Sequence, residues 1–227
     1  MNTETHGPSF ETATDYWDAA LVTIDQLGLS VDATERVGQL TAMTGQGIMD
    51  VATTLHTALA PGLDHEPTTY TMHVSGPDGE NRRPTLDPSE RSVLFDEAAG
   101  LVRSLSEMDA PDNTEERLAR IGDVVALAVL LAHPFEDGNG RTARTMAQLI
   151  REGYDGSEQA VKDFKVLGAN RPTTGYRIKS YAPRTGVGDK MSPSELLAIA
   201  ASLDIPLDEN KKHVARKERA FDSPFAD

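Results

Sequence analysis

Apolar residues recur at helical spacing along most of the chain. In ATDYWDAALVTIDQLGL, Tyr16, Leu21, Ile24 and Leu27 fall near one face. ERVGQLTAMTGQGIMDVATTLHTALAPG then carries Val37, Leu40, Met43, Ile48, Val51, Leu55 and Leu59 to a Pro-Gly stop, so two amino-terminal helices are predicted. Between 68 and 86 the period changes. Tyr70, Met72 and Val74 alternate with smaller or polar residues and SGPDG supplies turn chemistry, which predicts a short, mostly exposed β-hairpin. DPSERSVLFDEAAGLVRSLSEM returns to the helical period, with Val93, Leu94, Ala98, Leu101, Val102 and Leu105 as its apolar stripe. TEERLARIGDVVALAVLLAH starts polar and becomes apolar all round, as a helix does on entering the centre of a bundle; it ends at His133 because Pro134 disfavours helical geometry in the residue before it. RTARTMAQLIREG restarts the period and stops at Gly153. MSPSELLAIAASLDI reads as a further helix, capped near Ser192 or Ser194 with Glu195 in its first turn. The pattern is that of an all-α bundle with one short hairpin.

Composition narrows the partners. The chain has 227 residues, enough for one sizeable core, and 36 acidic against 22 basic residues give a net charge of -14. That balance disfavours a nucleic-acid surface. Without cysteine there is no disulfide framework and no thiolate zinc site, so a metal would be held by oxygen or imidazole, which suits a hard cation such as magnesium. The longest apolar run, VVALAVLLA at 124 to 132, is far short of the roughly 20 residues of a membrane span, and the first residues lack the basic start and apolar stretch of a signal peptide. No membrane association is expected, and a cytoplasmic location is the default expectation. The segment 168 to 189 is rich in Gly and Pro and carries Arg171, Arg177, Lys179 and Arg184, which predicts a long surface loop; KKHVARKERAF reads as a basic, solvated end.

Candidate chemistry gathers in HPFEDGNGRTAR, residues 133 to 144. It joins the end of the buried helix to the start of the next. Glycines at 138 and 140 permit positive φ, so the amides of Gly138, Asn139 and Gly140 can turn inward as a concave nest beside the unpaired amides of a helix start. Such a place attracts phosphate. Arg141 and Arg144 follow where the helix dipole makes cations unfavourable by about 0.3–1 kcal/mol each, so something anionic is expected to compensate. A di- or triphosphate fits: the amides meet one end and the guanidinium forks the other. Asp137 would lie beside it, where magnesium takes one carboxylate, waters and phosphate oxygens. Phe135 would anchor the loop to the core. His133, at the helix end, is placed to take a proton from an attacking hydroxyl.

These residues match every fixed position of the HxFx[D/E]GNGRxxR signature, and the chain thereby resembles the Fic-domain family. The resemblance covers about residues 60 to 155. It implies a Fic-type helical bundle: amino-terminal helices over 1–60, a core over 61–155 with a flap at 68–84 and the signature loop at 133–144, and a carboxy-terminal extension over 156–227. It further implies transfer of AMP from magnesium-ATP to a Ser, Thr or Tyr hydroxyl of a target protein. By position His133 becomes the general base and Asp137 the magnesium ligand. Gly138, Asn139, Gly140, Arg141 and Arg144 become nucleotide-binding, and Met72, His73 and Val74 the target-facing part of the flap.

Other readings stand beside this one. A Gly-Asn-Gly turn alone is a common connection, a helix-terminal histidine often satisfies its own last carbonyls, Glu136 fills a variable position and reads as solvated, and His73 reads equally as an exposed strand residue. The same fold also supports other nucleotides, phosphotransfer or removal of AMP. Relatives that act as kinases depart from the Gly-Asn-Gly core and the arginine after it, and this chain does not. A silent nucleotide-sensing or scaffolding module is the alternative from another class. Many Fic proteins are restrained by a glutamate in a [S/T]xxxE[G/N] motif that pairs with the second arginine. No glutamate here has Ser or Thr four residues earlier. Two outcomes follow: the chain is active alone, or an antitoxin-like protein supplies the glutamate in trans.

Overall fold

The computed structural model describes residues 13–60, 63–69, 73–75, 82–84, 86–108, 114–161 and 192–201, and the backbone alone for 13–19 and the two strands. The elements in chain order are α1 (Ala13–Gln26), α2 (Ala33–Thr41), α3 (Gly45–Leu59), β1 (His73–Ser75), β2 (Arg82–Pro84), α4 (Pro88–Ser106), α5 (Thr114–Ala132), α6 (Asn139–Glu152) and α7 (Pro193–Ala201). Mostly helical architecture is therefore what the apolar periodicity yields. The predicted loop at 168 to 189, the basic end, Met72 and the side chains of Tyr16 and Trp17 lie outside the described residues.

Helix α5 is the axis. Every residue from Ile121 to Leu130 is buried, and α6, α4, α7 and α2 pack around it. Gly122 lets α6 approach: a Cβ there would stand 3.0 Å from the Ala147 carbonyl oxygen. Each large apolar side chain so enclosed contributes about 1.5–3 kcal/mol, so burial along this stripe, rather than helix propensity, holds α5 in place.

One predicted helix is in fact two. The sequence from Glu35 to Leu59 breaks between Thr41 and Gly45, where the Thr44 hydroxyl accepts the Gly47 amide at 3.0 Å and starts α3 afresh. Gly45 faces α4 so closely that a Cβ would meet Asp96 and Phe95 under 3.0 Å. Val93, assigned to the apolar stripe of α4, is 58% exposed; Leu94, Ala98 and Val102 carry that face. Helix α4 opens on a capping box between Asp87 and Glu90, and α7 on reciprocal bonds between Ser192 and Glu195.

The carboxyl end of α6 is held by a buried cation. Arg36, 3% exposed, donates from Nε to the Ile150 carbonyl at 2.8 Å, from Nη2 to Arg151 at 2.7 Å and from Nη1 to the Ser30 carbonyl. Two of those acceptors are orphan carbonyls of the last turn, where the helix dipole favours positive charge. Replacing Arg36 by alanine would strand them, and a loss of about 3 kcal/mol is expected in denaturant unfolding. An unfolding midpoint within error of wild type would show that water takes over the capping.

Between α3 and α4 the chain forms the one hairpin among the described residues. β1 and β2 pair antiparallel with His73 opposite Pro84, Val74 opposite Arg83 and Ser75 opposite Arg82.

Candidate functional site

The site begins where α5 stops. His133 keeps its amide on the Val129 carbonyl at 2.9 Å, yet its φ of 46° lies in the left-handed region, unlike any other non-glycine among the described residues. For a non-glycine this costs about 1–3 kcal/mol and persists only where the surroundings enforce it. The next residue supplies the enforcement: Pro134 is buried and its carbonyl accepts the Thr68 amide at 2.8 Å.

Phe135 is fully buried and Asn139 locks it. The Asn139 carboxamide accepts the Phe135 amide at 3.0 Å and donates to the Phe135 carbonyl at 2.6 Å. The sequence assigned Asn139 to a phosphate cradle. Its side chain braces the loop's own backbone, through one of its two N–H donors and its carbonyl oxygen.

Gly138 closes the turn with φ 77°, and its carbonyl accepts the amides of Arg141 and Thr142, both at 3.0 Å. The amides of Asn139 and Gly140 have no acceptor within the helix, as at any helix start. The Gly138 amide is already engaged: it donates to Oδ1 of exposed Asp137 at 2.6 Å. A carboxylate thus sits where the sequence placed an anion, and a phosphate must displace it to take that amide.

The two arginines differ. Arg141 donates from Nη1 to the Leu59 carbonyl at 2.5 Å, at the carboxyl end of α3. The end of α3 therefore offsets part of the penalty of a cation in the first turn of α6, which the sequence reading assigned wholly to an anionic ligand. Arg144 leans back toward the start of its helix, so that a Cβ on Gly140 would touch its Nη1 at 3.4 Å. Gly138, Arg141 and the tip of Arg144 therefore lie at one helix start, with His133 in the turn that leads into it. In the hairpin, His73 and Val74 lie in β1.

Two residues were missed in the sequence. His56, fully buried on α3, stacks on Phe135 with centroids 3.9 Å apart and planes 12° from parallel. Its Nε2 lies 2.9 Å from the Asp137 carbonyl oxygen. A carbonyl can only accept, so Nε2 carries the proton. Burial pushes the His56 pKa below its ordinary value; the bond to Asp137 opposes this, while His65 and Arg141 add to it. A neutral ring with Nε2 protonated leaves Nδ1 to accept from His65 Nδ1, 3.2 Å away. Arg91, also buried, donates from Nε to the Leu86 carbonyl at 2.7 Å and from Nη1 to that of Thr68 at 2.6 Å. One cation thus ties both ends of the hairpin segment, and Thr68 ties it to Pro134. The signal for His56 was present: a histidine in register with Ile48, Ala52 and Leu59 on a buried stripe. Arg91 carried no such signal.

A groove of about 200 Å³ beside Gly45, Met49, Thr68, Arg91 and Phe95 contains no residue of the loop. Among the described residues no three His, Asp or Glu side chains group as a metal site, and no helix is long and apolar enough to cross a membrane.

The sequence profile of the Fic/DOC family matches residues 94–150, from within α4 to near the end of α6. Residues 94–150 are therefore similar to the Fic/DOC family. The matched segment takes in α5, the turn from His133 to Gly138 and the start of α6, so the loop built above is part of what the family shares. No curated protein and no solved structure matches the chain significantly. Among the described residues, His56, Leu59 and Thr68 bond to this loop from outside the matched segment.

Proposed function

We propose that the protein transfers AMP from ATP to a Ser, Thr or Tyr hydroxyl of a target protein. The observation that carries this reading is the Gly138 turn at the start of α6, with His133 just ahead of it and Arg141 and Arg144 just after it, inside a segment that matches the Fic/DOC family. The target hydroxyl oxygen would attack the α-phosphorus of ATP. A bond from oxygen to α-phosphorus forms, the bond to the β-phosphate oxygen breaks, pyrophosphate leaves, and the hydroxyl proton passes to His133. The free helix-start amides of Asn139 and Gly140 suit phosphate oxygens, and the arginines suit the outer phosphates. Asp137 is the lone exposed carboxylate that the signature aligns with magnesium. Among the described residues no group of three His, Asp or Glu forms around it, so most of the metal's ligands would come from phosphate and water, as magnesium tolerates. Bound there, the ion would neutralise charge on the phosphates.

The hairpin would act as the flap that receives the target. An extended target segment added to a strand gains backbone hydrogen bonds, and proline removes a donor. Met72→Pro is expected to cut AMP transfer to protein about tenfold or more while leaving ATP affinity unchanged. Transfer rates equal to wild type would show that targets dock elsewhere.

We further propose that the isolated chain is active without any activating change, because no glutamate stands in the [S/T]xxxE spacing to pair with Arg144. Intact mass after incubation with magnesium-ATP should show an added adenylyl group on wild type. An inert wild type switched on by a single glutamate-to-glycine change, at Glu152, Glu195 or Glu209 for instance, would place an inhibitor within the chain instead.

A further inference from the structure

We propose that His56 is a positioning residue that sets the Asp137–Gly138 peptide of the signature loop, and through it the direction in which the Gly138 amide faces a nucleotide. This rests on the nucleotide reading above.

The argument starts from the peptide plane. In a trans peptide the carbonyl and the following N–H point in opposite directions. The Asp137 carbonyl is drawn down onto His56 Nε2 at 2.9 Å, so the Gly138 N–H must point away from α3, toward the Asp137 carboxylate that now receives it at 2.6 Å. A flip of this one peptide would reverse both groups. Glycine offers no resistance to such a flip, because it occupies positive and negative φ about equally. The φ of 77° at Gly138 must therefore be selected from outside, and His56 is placed to select it. Its ring is fixed on every side: Phe135 stacks on it, His65 holds Nδ1, and a Cβ on Gly138 would come within 3.0 Å of its Cδ2 and Nε2. Ala60, beside His56, closes the same face of Gly138 at 3.1 Å, so side chains larger than hydrogen are excluded there for contact as well as for φ. The end of α3 reaches Arg141 too, through the Leu59 carbonyl. One helix turn outside the family match thus orients two groups of the loop.

The test compares wild type, His56→Phe and His56→Gln. Phenylalanine keeps the stack and loses the donor; glutamine returns an N–H near the position of Nε2. Two readouts are taken: magnesium-ATP affinity by calorimetry, and the Gly138 amide resonance in nucleotide-free, nitrogen-15-labelled protein. His56→Phe is expected to weaken magnesium-ATP about tenfold and to move the Gly138 resonance, and His56→Gln to restore affinity to within about threefold and return the resonance. A folded His56→Phe protein with wild-type affinity and an unmoved Gly138 amide would overturn the proposal. If His56→Phe does not fold, His56→Asn, whose amide is too short to reach Asp137, takes its place against His56→Gln with the same criteria. Should wild type itself not bind magnesium-ATP, the nucleotide reading fails on its own, and the Gly138 resonance, read without nucleotide, still decides what His56 does.

Discussion

His133→Ala is expected to lower AMP transfer by about 10²–10⁴-fold while nucleotide affinity stays within a few-fold of wild type. The asymmetry follows from where His133 stands. It lies in the turn between α5 and α6, and the groups suited to phosphate are other residues: the amides of Asn139 and Gly140, and the two arginines. Removing the imidazole takes away a proton acceptor and leaves those groups in place. Its backbone is also held independently of the ring, by the Val129 carbonyl behind it and the Thr68–Pro134 bond ahead. The fold should therefore survive, although a left-handed φ of 46° suits alanine somewhat less than histidine and a small loss of stability is expected beside the loss of turnover. Wild-type turnover in this variant would remove His133 as the base; parallel loss of ATP binding would make it a ligand instead.

Arg141→Ala is expected to weaken magnesium-ATP binding by more than about tenfold and also to lower stability by about 1–3 kcal/mol. Both effects come from one guanidinium. One of its five donors holds the Leu59 carbonyl at 2.5 Å, so alanine removes a charge-assisted bond from the end of α3. In the proposed site the same guanidinium also meets phosphate, which a planar fork does bidentately. Arg141→Lys separates the roles: a lysine can keep the single bond to Leu59 but cannot form a bidentate fork. It should recover most of the stability and little of the affinity. If the alanine variant loses stability but binds nucleotide as wild type does, Arg141 is a structural tie between α3 and α6.

The legible parts of the fold were those governed by period and by proline. The apolar run of α5 declared its own burial, and Pro134 set its end to within one residue, at Ala132 rather than His133. The join between α2 and α3 was not legible, because apolar spacing runs on through Thr41–Gly45 while the break depends on one hydroxyl, Thr44, and on how closely α4 passes Gly45. Val93 misled for a similar reason: it fits a stripe whose actual centre lies one residue on, at Leu94. In the site, the residues of one contiguous loop were all legible, since sequence alone brings them together. What surrounds them was not. His56 lies 81 residues from its bond to Asp137, and Arg91 lies 23 from Thr68; such contacts are made by packing and leave no local spacing to read. Even within the loop, sequence could name Asn139 but not say that its carboxamide would turn back on Phe135.

The most direct measurement is to incubate the purified protein with magnesium and ATP labelled at the α- or the γ-phosphate in separate tubes, with wild type and His133→Ala side by side. Label retained on protein from α-labelled ATP alone, and lost in His133→Ala, is the expected result. Label retained from γ-labelled ATP instead would mean phosphate transfer, and no label from either tube would contradict AMP transfer by the isolated chain.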